Sequence, residues 1–125
     1  MTDINARLKV LTVVGTRPEI IRLAATIKRL ENSTDHVLVH TGQNYDYGLN
    51  EVFFEDLGLR RPDYFLNADT SSLGSLLGSI LSTVEKVMLE VKPDAMLVLG
   101  DTNSCISAIM ARRMQIPVYH MGAGK

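Results

Sequence analysis

Residues 8–23, LKVLTVVGTRPEIIRL, decide the fold. Leu8, Val10, Leu11, Val13 and Val14 form a short apolar run rich in β-branched residues, as expected of a strand buried on both faces of a parallel sheet. A tight turn follows. Gly15 permits a sharp bend, Thr16 and Glu19 have capping-box spacing, and Pro18 suits a helix's first turn, where its missing N–H costs nothing. Ile20, Ile21, Leu23, Ala24, Ile27 and Leu30 then recur at helical spacing. The chain opens as strand, turn, amphipathic helix.

Arg17 sits where the strand's carboxyl end meets the helix's amino end, the crevice in which open α/β sheets bind ligands. A helix amino terminus attracts anions, although Glu19 already occupies part of that field. Two readings stay open: Arg17 contacts a phosphate or carboxylate, or it pairs with Glu19 on the surface. The turn is neither a dinucleotide GxGxxG nor a Walker A loop.

The same unit repeats along the chain. His36 to Thr41 reads as a second strand, followed by the polar, aromatic loop Gly42 to Gly48 with Gln43, Asn44 and Tyr45. That loop either overhangs the crevice or simply packs its tyrosines. Leu49, Val52, Phe53 and Leu57 mark a second helix stopped by Gly58 as a left-handed cap. Arg61 to Leu66 predicts an extended edge strand. From Ser72 to Val91 apolar residues fall every three or four positions, predicting a long helix. Its Gly74 and Gly78 are either a close-contact notch or tolerated surface glycines. Ala95 to Leu99 is a further buried strand ending at Gly100-Asp101-Thr102-Asn103. A helix through Cys105, Ile106, Ile109, Met110 and Met114 and a last strand, Val118 to Met121, complete the pattern.

Alternating strands and helices predict a doubly wound, Rossmann-like parallel sheet of order 3-2-1-4-5. Its direction reverses between the first and fourth strands, so Arg17 and Asp101 should border one switch point, with His120 at the end of the neighbouring fifth strand. Asp101 there either moves protons or merely caps the helix beginning at Thr102.

The 125 residues are one domain's worth, and thirteen basic against fourteen acidic residues leave no general attraction for nucleic acid or anionic membrane. MTDINARLK lacks the apolar core of a signal peptide, and Ala95 to Leu99 is too short to cross a bilayer. The expected location is cytoplasmic. A single cysteine excludes an internal disulfide and a cysteine-based metal site. Cys105 reads as a small core residue.

GTRPE, TGQNYDY, KPDAMLVLGDTNS and IPVYHMGAG, in that order, resemble the amino-terminal lobe of the non-hydrolysing UDP-N-acetylglucosamine 2-epimerases. TGQNYDY and EVFFEDLGLRRPDYFL resemble most the subgroup acting on UDP-activated 6-deoxy-N-acetyl sugars in capsule and O-antigen synthesis. The resemblance implies a GT-B fold of two Rossmann-like lobes, here residues 1–125 as the first, with substrate between them. It implies elimination of UDP with loss of the C2 proton to give a glycal, then re-addition after inversion, with no metal or nicotinamide cofactor. By motif position, Arg17 matches an arginine near the nucleotide phosphates, Arg22 a supporting basic residue, and Asp101 an acid/base aspartate. His120 falls in the last motif as a substrate contact, and Gln43 in the loop of a second, regulatory sugar-nucleotide site. A homodimer is expected of the complete protein.

Two departures stand out. Gly122 replaces a catalytic glutamate and Gly48 another glutamate, and a glycine moves no proton. The chain also ends before a second lobe. The expectation is therefore an amino-terminal fragment without epimerase activity, whereas a non-catalytic UDP-sugar-binding or assembly module would bind without turnover. A flavodoxin-like domain using the Arg17 crevice for phosphate is a third reading, favoured if flavin mononucleotide bound and UDP did not.

Overall fold

The computed structural model describes residues 8–42, 47–99 and 103–121. The element order is β1 (Lys9–Val14), α1 (Arg17–Ser33), β2 (Asp35–His40), α2 (Tyr47–Asp56), β3 (Tyr64–Phe65) and α3 (Leu73–Val91). It continues with β4 (Ala95–Leu99), a 3-10 turn at Asn103–Ile106, α4 (Ser107–Arg113) and β5 (Val118–Met121). All strand pairs are parallel, and the sheet order is β3-β2-β1-β4-β5. This is the doubly wound arrangement that the alternating pattern predicts.

Strand alternation divides the core into two faces. Leu11, Val13, Val39, Met96 and Val98 point to one, where Val84, Val87 and Met88 of α3 and Ala108 and Ala111 of α4 cover them. Val14, Leu38 and Leu99 point to the other, against Ile20, Leu23 and Ile27 of α1 and Phe54 of α2. Cys105 packs part-buried against the first cluster, as a small core residue would. On the second face, α1 and α2 leave β5 open, and Tyr119 is 62% exposed beside a groove bordered by Leu30 and Leu97.

The helix ends follow the local chemistry. Thr16 caps α1 with its hydroxyl, accepting from Glu19 N and donating to Glu19 Oε2 at 2.9 Å. Gly58 has φ +73°, the left-handed geometry expected after α2. A Cβ built on Gly74 or Gly78 would meet nothing within 4 Å, so both are surface glycines. Ser72, not an internal residue, starts α3 by accepting from Ser75 N.

Two elements differ from expectation. Only Tyr64–Phe65 is strand, because Pro62 offers no ladder N–H; Asp63 N and Leu66 N nevertheless bond to Leu38 O and His40 O on either side. The last helix enters through a 3-10 turn, closed by Ser107 Oγ donating to Ser104 O at 2.7 Å. Among the described residues, no helix is long and apolar enough to cross a membrane.

Candidate functional site

The carboxyl ends of β1 and β4 lie side by side, with Val13 opposite Val98. The chain leaves β1 towards α1 on one face and leaves β4 towards α4 on the other, which makes this rim the switch point. Arg17, the first residue of α1, is exposed on that rim. Its guanidinium carbon lies 5.4 Å from the centroid of the Phe53 ring on α2, within cation–π range. Glu19 is fully buried and accepts from Thr16, so its carboxylate lies inside the fold and not on the surface beside the exposed Arg17. A helix amino terminus, an exposed arginine and an aromatic support together suit an anionic group of a ligand.

Behind Phe53 runs a series of rings. Phe53 meets Phe54 edge-on at 6.4 Å, Phe54 meets His40 at 6.0 Å, and His40 stacks on Phe65 at 4.5 Å with only 10° between the planes. His40, the last residue of β2, is 1% exposed, and burial pushes its pKa down to about 4. Its Nδ1 accepts from Gly42 N at 2.9 Å, which assigns the neutral tautomer with the proton on Nε2. A histidine in a strand-like HVLVH gave no hint of this role. Thr41 Oγ1 and Ser104 Oγ are also buried near this rim, without a hydrogen-bond partner among the described residues.

The other sequence-derived candidates fare differently. Asp101 and Gln43 lie outside the described residues, as does Gly122, while Gly48 falls in the first turn of α2. Arg22 is exposed five residues beyond Arg17, about 140° round the helix from it. His120 does not converge with Arg17. Its register opposite Val98 directs it to the α4 face, where its Nε2 lies 3.2 Å from Arg112 Nη2. The error came from following strand ends alone, because alternation decides which side of the rim a residue serves.

A second polar cluster, missed in the sequence, sits towards the opposite end of the strands. His36 Nδ1 bonds to Glu31 Oε2, and His36 Nε2 to Thr12 Oγ1 at 2.7 Å. Arg60 spans Glu31 Oε1 at 2.7 Å and Asp63 Oδ2 at 2.9 Å, and donates to His36 O. Burial holds His36 below its ordinary pKa against the opposing pull of Glu31. Burial pushes Glu31 up, but hydrogen bonds from Arg60 and His36 outweigh it and leave the carboxyl below its usual range. This cluster ties α1, β1, β2 and the approach to β3 together, away from the switch point.

Fold and rim together define the doubly wound class of open α/β sheets, in which ligands bind at the carboxyl-end switch point. Residues 27–125 match the family model described as UDP-N-acetylglucosamine 2-epimerase, and the chain belongs to that family. It is 52% identical, with a TM-score of 0.86, to the UDP-N-acetylglucosamine 2-epimerase structure from Rickettsia bellii, covering 94% of this chain and 32% of that one. Against the Methanocaldococcus jannaschii UDP-GlcNAc 2-epimerase solved with UDP-GlcNAc and UDP, the identity is 40%, the TM-score 0.85, and the coverage 94% and 33%. The UDP-2,3-diacetamido-2,3-dideoxy-D-glucuronate 2-epimerase of Pseudomonas aeruginosa is 38% identical over 94% of this chain and 34% of its own length. The chain thus spans about a third of the length of the relatives it matches.

Proposed function

We propose that this chain supplies the amino-terminal lobe of an isomerase that inverts C2 of UDP-N-acetylglucosamine or a related UDP-N-acetyl deoxy-sugar for cell-surface polysaccharide synthesis. The observation carrying the reading is the β1/β4 switch point with Arg17 exposed at the head of α1. In this reaction a base removes the C2 proton while the C1–oxygen bond to UDP breaks, giving a glycal. UDP then adds back to C1 as a proton returns to the opposite face of C2.

Arg17 suits the developing negative charge on the leaving diphosphate, because a charged donor there is stronger as that charge grows. Asp101 takes the acid/base role, Arg22 and His120 support substrate, and Gln43 serves a second sugar-nucleotide site, all by motif position. The second lobe closes the cleft, and the complete protein works as a cytoplasmic homodimer. With Gly122 in the position of a glutamate, one proton-transfer group is missing and the chain as it stands does not turn over.

The test joins this lobe to the remaining two thirds of the Rickettsia bellii enzyme. The fusion is expected to be inactive, to gain C2 epimerisation with Gly122→Glu, and to lose it again with Arg17→Ala. A folded Gly122→Glu fusion that neither epimerises nor releases UDP would overturn the assignment. The departure at Gly122 also favours a second reading, a UDP-sugar-binding or assembly module. Calorimetric binding of UDP-N-acetylglucosamine by the unfused chain, with no turnover in the repaired fusion, would select it.

A further inference from the structure

We infer that Phe53 is a positioning residue, whose ring holds the Arg17 guanidinium in place on the rim to meet the diphosphate of a sugar nucleotide; this rests on the reading of Arg17 given above. Arg17 is the first residue of α1, and Phe53 belongs to α2, so the contact joins two helices that the sequence separates by a strand and a loop. Arginine side chains on a surface sample many rotamers, and a ligand that binds one must restrict them. A ring 5.4 Å from the guanidinium carbon narrows that choice beforehand, while leaving the N–H donors at the edge of the guanidinium plane for an anion.

The ring is itself well placed to do this. Phe53 is half-buried, and its neighbour Phe54 is 2% exposed and meets it edge-on. Phe54 in turn packs on His40, which is stacked on Phe65 of β3. Because burial keeps His40 neutral near pH 7, this series places no competing positive charge behind the arginine. The support therefore runs from the edge strand, through the sheet's end, to the surface cation.

The test uses the 125-residue chain and NMR, which reads millimolar affinities. In the wild type, Arg17 side-chain protons are expected to be shifted upfield by the Phe53 ring, and the shift should vanish in Phe53→Leu but persist in Phe53→Tyr. Titration with UDP should then show about a two- to fivefold weaker affinity for Phe53→Leu when Arg17 is present. In the Arg17→Ala background the same substitution should change nothing, and Phe53→Tyr should retain wild-type affinity. A merely structural ring would weaken UDP equally in both backgrounds, which would overturn the proposal. So would Arg17→Ala weakening UDP while Phe53→Leu does not. If UDP affinity ignores Arg17→Ala altogether, the phosphate reading of Arg17 falls first and this inference with it.

Discussion

His40 Nδ1 accepts a hydrogen bond from Gly42 N at 2.9 Å, so a buried neutral histidine fixes the backbone two residues beyond it, at the point where β2 gives way to the loop. The imidazole cannot be protonated at Nδ1 without losing that bond, and protonation would place a charge between two phenylalanine rings.

The pH dependence of stability follows. With a folded-state pKa of about 4 against an ordinary 6.5, His40 contributes its full share above pH 6.5 and loses it as pH falls through 4. The share is at most about 3 kcal/mol. Urea denaturation between pH 7 and pH 4 should show wild-type stability falling more steeply than that of His40→Phe. Parallel curves would remove His40 as the cause.

Gly42 should not accept a side chain. Its φ is +88°, and a Cβ there would lie 2.8 Å from Asn67 N and 2.9 Å from Asn67 Cα. Both are backbone atoms and cannot swing aside. Gly42→Ala is expected to lower stability by about 2 kcal/mol or more, combining strained φ with displacement of the chain entering α3.

Gly78→Ala should do the reverse. The position is helical, exposed and open, so alanine is expected to raise stability by about 0.5–1 kcal/mol. Thermal melts of Gly42→Ala and Gly78→Ala, run together, would separate the two kinds of glycine by sign.

Thr12→Val keeps shape but removes the hydroxyl that meets His36 Nε2 inside the sheet. A buried ring nitrogen without a partner should cost about 1–3 kcal/mol. Glu31→Gln tests the other side of the same imidazole. Glu31's pKa is held down, so its contribution is present above the ordinary carboxylate pKa and disappears as pH falls through the lowered value. The deficit of Glu31→Gln relative to wild type, read by urea titration, should therefore be larger at pH 7 than at pH 3.5.

How much of this could be read from the chain itself depended on whether the signal was local. The strand at 9–14, the Thr16 cap and the Gly58 stop are all written within a few residues, and handedness rules then supply the sheet order. The Arg17–Phe53 contact spans 36 residues, and Phe53 looked like any apolar residue of an amphipathic helix. His36 finds Thr12 24 residues away and Arg60 just as far in the other direction, distances over which spacing carries no information. His120 was placed at the end of its strand, but strand order alone does not say which face it serves, and only the register opposite Val98 puts it on the α4 side.

The two sides of the sheet carry unequal obligations. The side under α3 and α4 is sealed mostly by Val, Leu, Met and Ala, so apolar residues can replace one another there with small penalties as long as volume is kept. Beneath α1 and α2 lie Thr12, His36 and His40, each committed to a particular partner. A protein engineer could therefore rebuild the first side for thermal endurance with few polar partners to respect, and would find less freedom on the second around those three side chains.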